Sequence, residues 1–333
     1  MFEWKDGDIV TEDSQDLTLA YKNGQWMSNS NTDISKVSLS TALSYRVKTQ
    51  RDFSFDIFGS SLKRPEQRVI HVKPGWNSIG YTPLVNLPVA TALAEYWSFA
   101  QDGDIIKSQN AFAQFYEGPD GKTEWMGSLK YMKPGEGYML YRQKEGEISF
   151  RYPFYEPGST FIDTVGSSSR SGLPHSTTMT IVAEAKGIDL QEGDRLVAYA
   201  AGEPVGEAVA MASPLAQADR GSASSADTSL MGAAERKLFF LSVNGDIEAP
   251  LTFTIERPGM DTHDIIAVSP QLMTYHSDAI CGTVLQPTAI SFVKAEQVSS
   301  AGWYDLSGRK IANSASGKLQ RGVYVSNGKK VIK

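Results

Sequence analysis

The feature that most constrains this chain is that its first half carries the same pattern twice. Asp6-Gly7-Asp8-Ile9-Val10 recurs as Asp102-Gly103-Asp104-Ile105-Ile106, Tyr21 as Tyr116, and Trp26-Met27 as Trp125-Met126. Leu39 recurs as Met132, Tyr45 as Tyr138, and Phe53-Ser54-Phe55 as Ile148-Ser149-Phe150. One such match is easily a coincidence. Six in order, at offsets held between 93 (Tyr45 to Tyr138) and 99 (Trp26 to Trp125), describe one supersecondary unit used twice. Its runs are short, aromatic or β-branched, and bounded by Gly, Pro, Asp or Asn, which predicts strands. Gly118-Pro119-Asp120-Gly121 and Asn23-Gly24 predict hairpin turns at equivalent places.

The second copy has a front section, Val72 to Tyr96, reading VKPGWNSIGYTPLVNLPVATALAEY. It predicts a turn at Lys73-Pro74-Gly75, a strand from Trp76 to Tyr81, and a helix capped by Asn86 with Pro88 in its first turn. Val89, Ala92, Leu93 and Tyr96 then share one apolar helix face. The counterpart in copy one would precede Met1, so the natural chain is expected to begin earlier. Met1 to Val10 (MFEWKDGDIV) has no basic n-region, apolar core or cleavage site and does not read as a signal peptide.

The pattern then changes. Glu156 to Leu173 is rich in Gly and Ser and predicts a flexible connector. Met179 to Ala185, Arg195 to Ala200, Val205 to Met211, Lys237 to Val243, Leu251 to Glu256 and Ile265 to Val268 predict strands without interposed helices, hence an antiparallel sandwich. Ser213 to Ala234 is low in apolar bulk and predicts a long exposed loop. The expected organisation is mainly β and multi-domain: a partial repeat (1–62), a complete repeat with one short helix (63–155), a linker (156–173), a β-sandwich (174–287) with the loop 213–234, and a β tail (288–333).

Composition narrows the function. The chain has 333 residues and a net charge of −6, against a nucleic-acid partner, whose phosphates need a basic face. No apolar run is long enough to span a membrane as a helix. A hydrophobic fraction of 41% allows a real core. One Cys and four His exclude a disulfide framework and a Cys-based zinc site.

The tail, Gly302 to Lys333, predicts strands at Trp303 to Leu306, Arg309 to Ala312, Gly322 to Ser326 and Lys329 to Ile332. Taken alone it is a hairpin tail whose Lys329, Lys330 and Lys333 form a solvated edge. The motifs Tyr304-Asp305-Leu306-Ser307-Gly308-Arg309-Lys310, Gly322-Val323-Tyr324-Val325 and Asn327-Gly328-Lys329-Lys330-Val331-Ile332-Lys333, in this order at the extreme end, resemble the C-terminal sorting domain (type A) of the type IX secretion system of Bacteroidota, in an abbreviated version. The resemblance implies the type IX machinery as partner, passage across the outer membrane, removal of the tail, and a secreted or cell-surface location. It also implies a precursor with an ordinary signal peptide. Pro74-Gly75-Trp76-Asn77-Ser78-Ile79-Gly80-Tyr81, Asp102 to Gln109 and Pro134 to Leu140 look like β-rich repeats near the C-termini of large secreted proteins of the same bacteria.

Candidate chemistry is sparse. Asp102 and Asp104, like Asp6 and Asp8, offer carboxylates to calcium, but an Asp-Gly turn holding its own backbone explains them as well, and no EF-hand run exists. His71, His175, His263 and His276 are scattered, with no HExxH or GxSxG pattern, and Cys281 reads as a small hydrophobe. No cofactor is expected. Trp97 and Trp125 are candidates for stacking on a glycan, against a core role for the same rings. The expected function is that of a non-catalytic C-terminal region of an exported surface protein, made of spacer or adhesion modules plus a sorting signal. The alternative is a set of accessory glycan- or protein-binding modules of a larger secreted hydrolase or peptidase.

Overall fold

A computed structural model of the chain describes residues 3–12, 17–28, 33–51, 67–154, 177–213, 236–245, 248–259 and 263–295, with the tail strands 303–304, 310–312, 323–326 and 329–332. The connector at 156–173 lies outside the described residues, as does the loop 213–234 beyond Ser213.

The first repeat is a sheet of β1 (Ile9–Glu12), β2 (Leu17–Lys22), β3 (Gln25–Ser28) and β4 (Arg46–Lys48), in the order β3-β2-β1-β4. Asn23 and Gly24, both at positive φ, make the tight turn between β2 and β3. The second repeat comprises β5 (Ile70–Val72), β6 (Gly75–Gly80), β7 (Leu87–Pro88), α1 (Val89–Ala92), β8 (Ile105–Lys107), β9 (Phe112–Glu117), β10 (Thr123–Gly127), β11 (Tyr131–Met132), β12 (Gly137–Arg142) and β13 (Ile148–Phe150). Its main sheet runs β10-β9-β8-β12-β6. The first four strands repeat the order of copy one, and β6 is the addition.

Strand register refines the alignment of the two copies. Ile9 faces Ala20 as Ile105 faces Gln114, and Tyr21 faces Trp26 as Phe115 faces Trp125. The counterpart of Tyr21 is therefore Phe115, not Tyr116. A one-residue slip puts a side chain on the opposite face of a sheet, and Tyr116 lies on the opposite face from Phe115. The helix also starts later than Asn86. Leu87 and Pro88 are extended and paired with Met132 and Tyr131, so Pro88 (ψ 142) precedes the first helical residue, Val89, with no side-chain cap.

One face of the second repeat packs Ile79, Ile106, Ala113 and Leu140 against Val89, Ala92, Leu93 and Tyr96, with Ile70, Val72, Met132 and Phe150 closing the core. The two repeats abut. Gly80 N–H donates to Ala42 O (2.9 Å), and Ser44 Oγ–H donates to Tyr138 O (3.0 Å). A Cβ on Gly80 would stand 2.3 Å from Thr41 O, so this approach requires glycine.

The sandwich is built from β14 (Thr177–Lys186), β15 (Arg195–Ala200), β16 (Glu203–Val209), β17 (Met211–Ala212), β18 (Lys237–Gly245), β19 (Pro250–Pro258), β20 (His263–Val268), β21 (Met273–Thr274), β22 (Ile280–Cys281), β23 (Thr288–Ser291) and β24 (Val293–Lys294). One sheet is β17-β18-β14-β22, with β23 also on β14. The other is β16-β15-β19-β20-β24, with β21 on β19. Pairing is antiparallel except at β14, which runs parallel to β22 and β23. Met179, Ile181, Phe239, Leu241, Leu196, Phe253 and Ile255 fill the space between the sheets. Among the described residues the molecule is mainly β, with largely antiparallel sheets and one short α-helix.

The tail strands β25 (Trp303–Tyr304), β26 (Lys310–Ala312), β27 (Val323–Ser326) and β28 (Lys329–Ile332) form a sheet in the order β26-β25-β27-β28. Among the described residues, all their strand pairs lie within 303–332. The expected boundary at 288 is too early, because Thr288–Ser291 and Val293–Lys294 pair with β14 and β20 and belong to the sandwich.

Candidate functional site

The Asp-Gly-Asp runs are structural turns. Asp8 accepts from Lys5 N (2.8 Å) and Gln50 N (2.9 Å), while Asp104 accepts from Gln101 N (3.1 Å) and Gln143 N (2.9 Å). The glycine between the two Asp residues takes positive φ in both copies (95° at Gly7 and 88° at Gly103). Asp104 also accepts from the Tyr96 hydroxyl (2.7 Å), in a fully buried position. Burial pushes the Asp104 carboxyl above its ordinary value, and the donors from Gln143, Tyr96 and Gln101 only partly offset that. Burial, then the charge of Asp104, pushes the Tyr96 phenol far up, so it stays a donor. Asp102 accepts from Glu117 N (3.1 Å). Both Asp104 oxygens are thus engaged by donors of the chain itself, and no group of three His, Cys, Asp or Glu gathers for a metal among the described residues.

A third turn of this design escapes the repeat pattern. Gln191 N donates to Asp194 Oδ2 (2.8 Å), and Gly193 takes φ 84°. The Arg257 guanidinium grips both Asp194 oxygens at 2.8 Å. Gln191-Glu192-Gly193-Asp194 matches Gln101-Asp102-Gly103-Asp104 once Glu is read for Asp.

The two candidate stacking residues come together around Phe115. Trp97 and Trp125 approach it edge-on at 5.4 and 5.3 Å, and Tyr96 lies 6.3 Å from Trp125. Trp97 donates to Thr123 Oγ1 (3.0 Å). Both Trp side chains are half-buried. Copy one repeats one of these contacts, with Trp26 edge-on to Tyr21 at 5.3 Å as Trp125 is to Phe115, and has Trp4 edge-on to Trp26 at 4.8 Å.

The second repeat and the sandwich pack against each other, a contact that no sequence motif marks. Ile105, Phe112 and Tyr116 meet Val182, Leu238, Phe240 and Val284 in one buried cluster, with Phe112 and Phe240 at 5.7 Å. At its edge, buried Lys107 donates to Asp278 Oδ1 (2.7 Å) and Thr178 O (3.1 Å), and its ammonium lies 4.1 Å over the Trp76 ring. Trp76 Nε1 donates to Asp278 O (3.1 Å), and Val284 N donates to Gln114 Oε1 (2.8 Å). A signal for this did exist. At the positions of Lys107, Phe112, Gln114 and Tyr141, copy one carries Thr11, Thr18, Ala20 and Lys48. The copies diverge on the face that meets the sandwich.

His71 and His276 have separate partners. His71 Nδ1 lies 2.9 Å from Ser149 Oγ, and His276 Nδ1 lies 2.8 Å from Glu248 Oε1. Burial pushes the Cys281 thiol up, away from the thiolate. An open groove of about 380 Å³ in the sandwich is lined by Phe253, Gln271, Leu272, Met273, Ala289 and Ile290, none of them titratable. No helix is long and apolar enough to cross a membrane among the described residues. Of the sorting-signal residues, Tyr304, Val323, Tyr324, Lys329 and Lys330 fall in the tail strands. Asp305, Leu306, Ser307, Gly308, Arg309, Gly322, Asn327, Gly328 and Lys333 lie outside the described residues. Comparison with protein-family models, curated proteins and solved structures finds no match to this chain.

Proposed function

We propose that the chain is the non-catalytic C-terminal region of an exported bacterial surface protein, with repeat modules and a sandwich acting as spacer and a terminal sheet serving as the type IX sorting label. The observation that carries this reading is that every described strand pair of residues 303–332 stays inside the tail, as a detachable label requires. The buried carboxylates support it from the other side, because Asp8, Asp104 and Asp194 accept hydrogen bonds from backbone N–H groups of the chain itself, those of Gln50, Gln143 and Gln191. The test is deletion of residues 322–333 in a host with type IX secretion, followed by cell fractionation. Retention in the periplasm is expected; normal surface delivery would refute the proposal.

A second reading, accessory binding modules for glycan or protein, draws on the half-buried Trp97 and Trp125 and on the edge-on Trp–aromatic pair found in both repeats. It predicts that Trp97→Ala abolishes binding on a glycan array while the circular dichroism spectrum is unchanged. Signals equal to wild type, or none for either protein, would count against it.

A further inference from the structure

The sequence holds three Asn-Gly pairs, at 23–24, 244–245 and 327–328, and the structure describes the first two in opposite settings. Asn23 and Gly24 form the exposed tip between β2 and β3, at φ 52° and 79°. The Asn23 backbone N–H donates to Asp6 Oδ1 (2.9 Å), but neither its side-chain amide nor the Gly24 N–H has a hydrogen-bond partner among the described residues. A Cβ on Gly24 would meet no atom within 4 Å, so the tip stands in open space. Asn244 and Gly245 lie instead at the end of β18, paired with Thr178 and Thr177 of β14. Asn244 is buried, and its Nδ2 donates to Val205 O (3.4 Å). Gly245 O accepts from Thr177 Oγ1 (2.8 Å) and the Tyr275 hydroxyl (2.9 Å), and a Cβ on Gly245 would stand 2.8 Å from the Tyr275 ring.

We propose that Asn23 is a site of spontaneous covalent modification, a deamidation that the fold permits at this tip and blocks at Asn244. Asparagine is a chemically labile residue, and a following glycine leaves its own nitrogen unshielded by any side chain. The Gly24 nitrogen bonds to Asn23 Cγ, the Cγ–Nδ2 bond breaks, and the amide leaves as ammonia with the proton that Gly24 gives up. Water, the only co-reactant, then opens the five-membered ring. Attack at Cγ yields aspartate, and attack at the Asn23 backbone carbonyl yields isoaspartate. The closure needs the side chain and the peptide plane to swing together, which the free tip allows and the paired, packed end of β18 does not. The corresponding turn of the second repeat, Gly118-Pro119-Asp120-Gly121, has no side-chain amide to lose. Isoaspartate adds one carbon to the backbone of a two-residue loop whose length sets strand register. Among the described residues β3 pairs with β2 alone, so the modified hairpin loosens β3 and the Trp26 contacts with Tyr21 and Trp4.

The test ages the full chain at neutral pH and body temperature, folded and in concentrated urea, and follows each Asn-Gly peptide by mass spectrometry with separation of the aspartyl and isoaspartyl forms. In the folded chain the acid should appear at Asn23 at least tenfold faster than at Asn244, and in urea the gap should close. Equal rates in the folded chain would overturn the proposal. A gap that persists in urea would also overturn it, because the neighbouring sequence and not the fold would then set the difference. The consequence for β3 is read by amide exchange at residues 25–28, which should be at least tenfold faster in the aged chain than in the fresh one. Asn23→Gly keeps a pair suited to this turn but has no amide, so it should age without that change. Isoaspartate at position 23 with unchanged exchange would refute the loosening of β3, as would the same acceleration in aged Asn23→Gly.

Discussion

Ionising Asp104 places a charge where the surrounding protein excludes water, and the three donors aimed at it recover only part of the lost hydration. The direction of its shift fixes a pH dependence. A carboxyl whose folded value lies above the unfolded one holds its proton more tightly in the folded chain. Its contribution to stability is fully present below the unfolded value, near 3.8, and is lost as pH rises through the folded value. The stability advantage of wild type over Asp104→Asn should therefore shrink as pH rises from 3.8 and then level off, in urea titrations across that range. An advantage that grows with pH would contradict this reading. Glu184 behaves oppositely. Burial raises it, but hydrogen bonds and charge from Lys186 and Arg236 together prevail and hold it low. Its contribution is present above the ordinary glutamate range and is lost as pH falls through its lowered folded value.

Between elements, the governing events are close approaches. Gly80→Ala forces a methyl into the carbonyls of Thr41 and Leu43, at 2.3 and 2.7 Å, so the two repeats must separate locally. The expected cost is about 1–3 kcal/mol, as for overpacking, with faster amide exchange at residues 40–45. Lys107 and Asp278 join the second repeat to the sandwich, with only Lys107 fully enclosed. Asp278→Asn keeps the side chain that best tolerates the left-handed backbone there (φ 57°) but takes the carboxylate from a buried ammonium. It should destabilise more than Lys107→Met, which removes the charge itself, and a double-mutant cycle measured by chemical denaturation should be clearly non-additive. The strands were legible in the sequence because turn residues bound them and aromatic residues fill them. The repeat was legible because side-chain identity survived at Trp26/Trp125 and Tyr45/Tyr138. In the latter pair each hydroxyl accepts a backbone N–H five residues earlier at 2.7 Å, from Ser40 and from Lys133. The helix start was not legible, because the pairing of Leu87 and Pro88 with β11 is a long-range event that local capping signals do not encode.

Across the whole molecule, the contact around Phe112 makes the second repeat and the sandwich a joint body. No single residue advertises this contact. It emerges only when the copies are compared position by position and the larger side chains of the second are seen to share a face. Phe112→Thr installs the residue that the first repeat carries at this place. It should cost about 3 kcal/mol or more through the cavity opened against Phe240, and split one calorimetric transition into two. A single transition merely shifted in temperature would show that the two bodies unfold together without that ring.

The parallel seam along β14 also has a mechanical consequence. Ala183 to Lys186 lie beside Thr288 to Ser291 in the same direction, so the strand that opens the sandwich and one of its last strands are zipped side by side. Tension entering at Thr177 and leaving past Ser291 drags these strands along each other, loading the seam's hydrogen bonds all at once instead of peeling them one by one. A body pulled in that geometry yields late, and the sandwich would carry load between its two ends like a rivet.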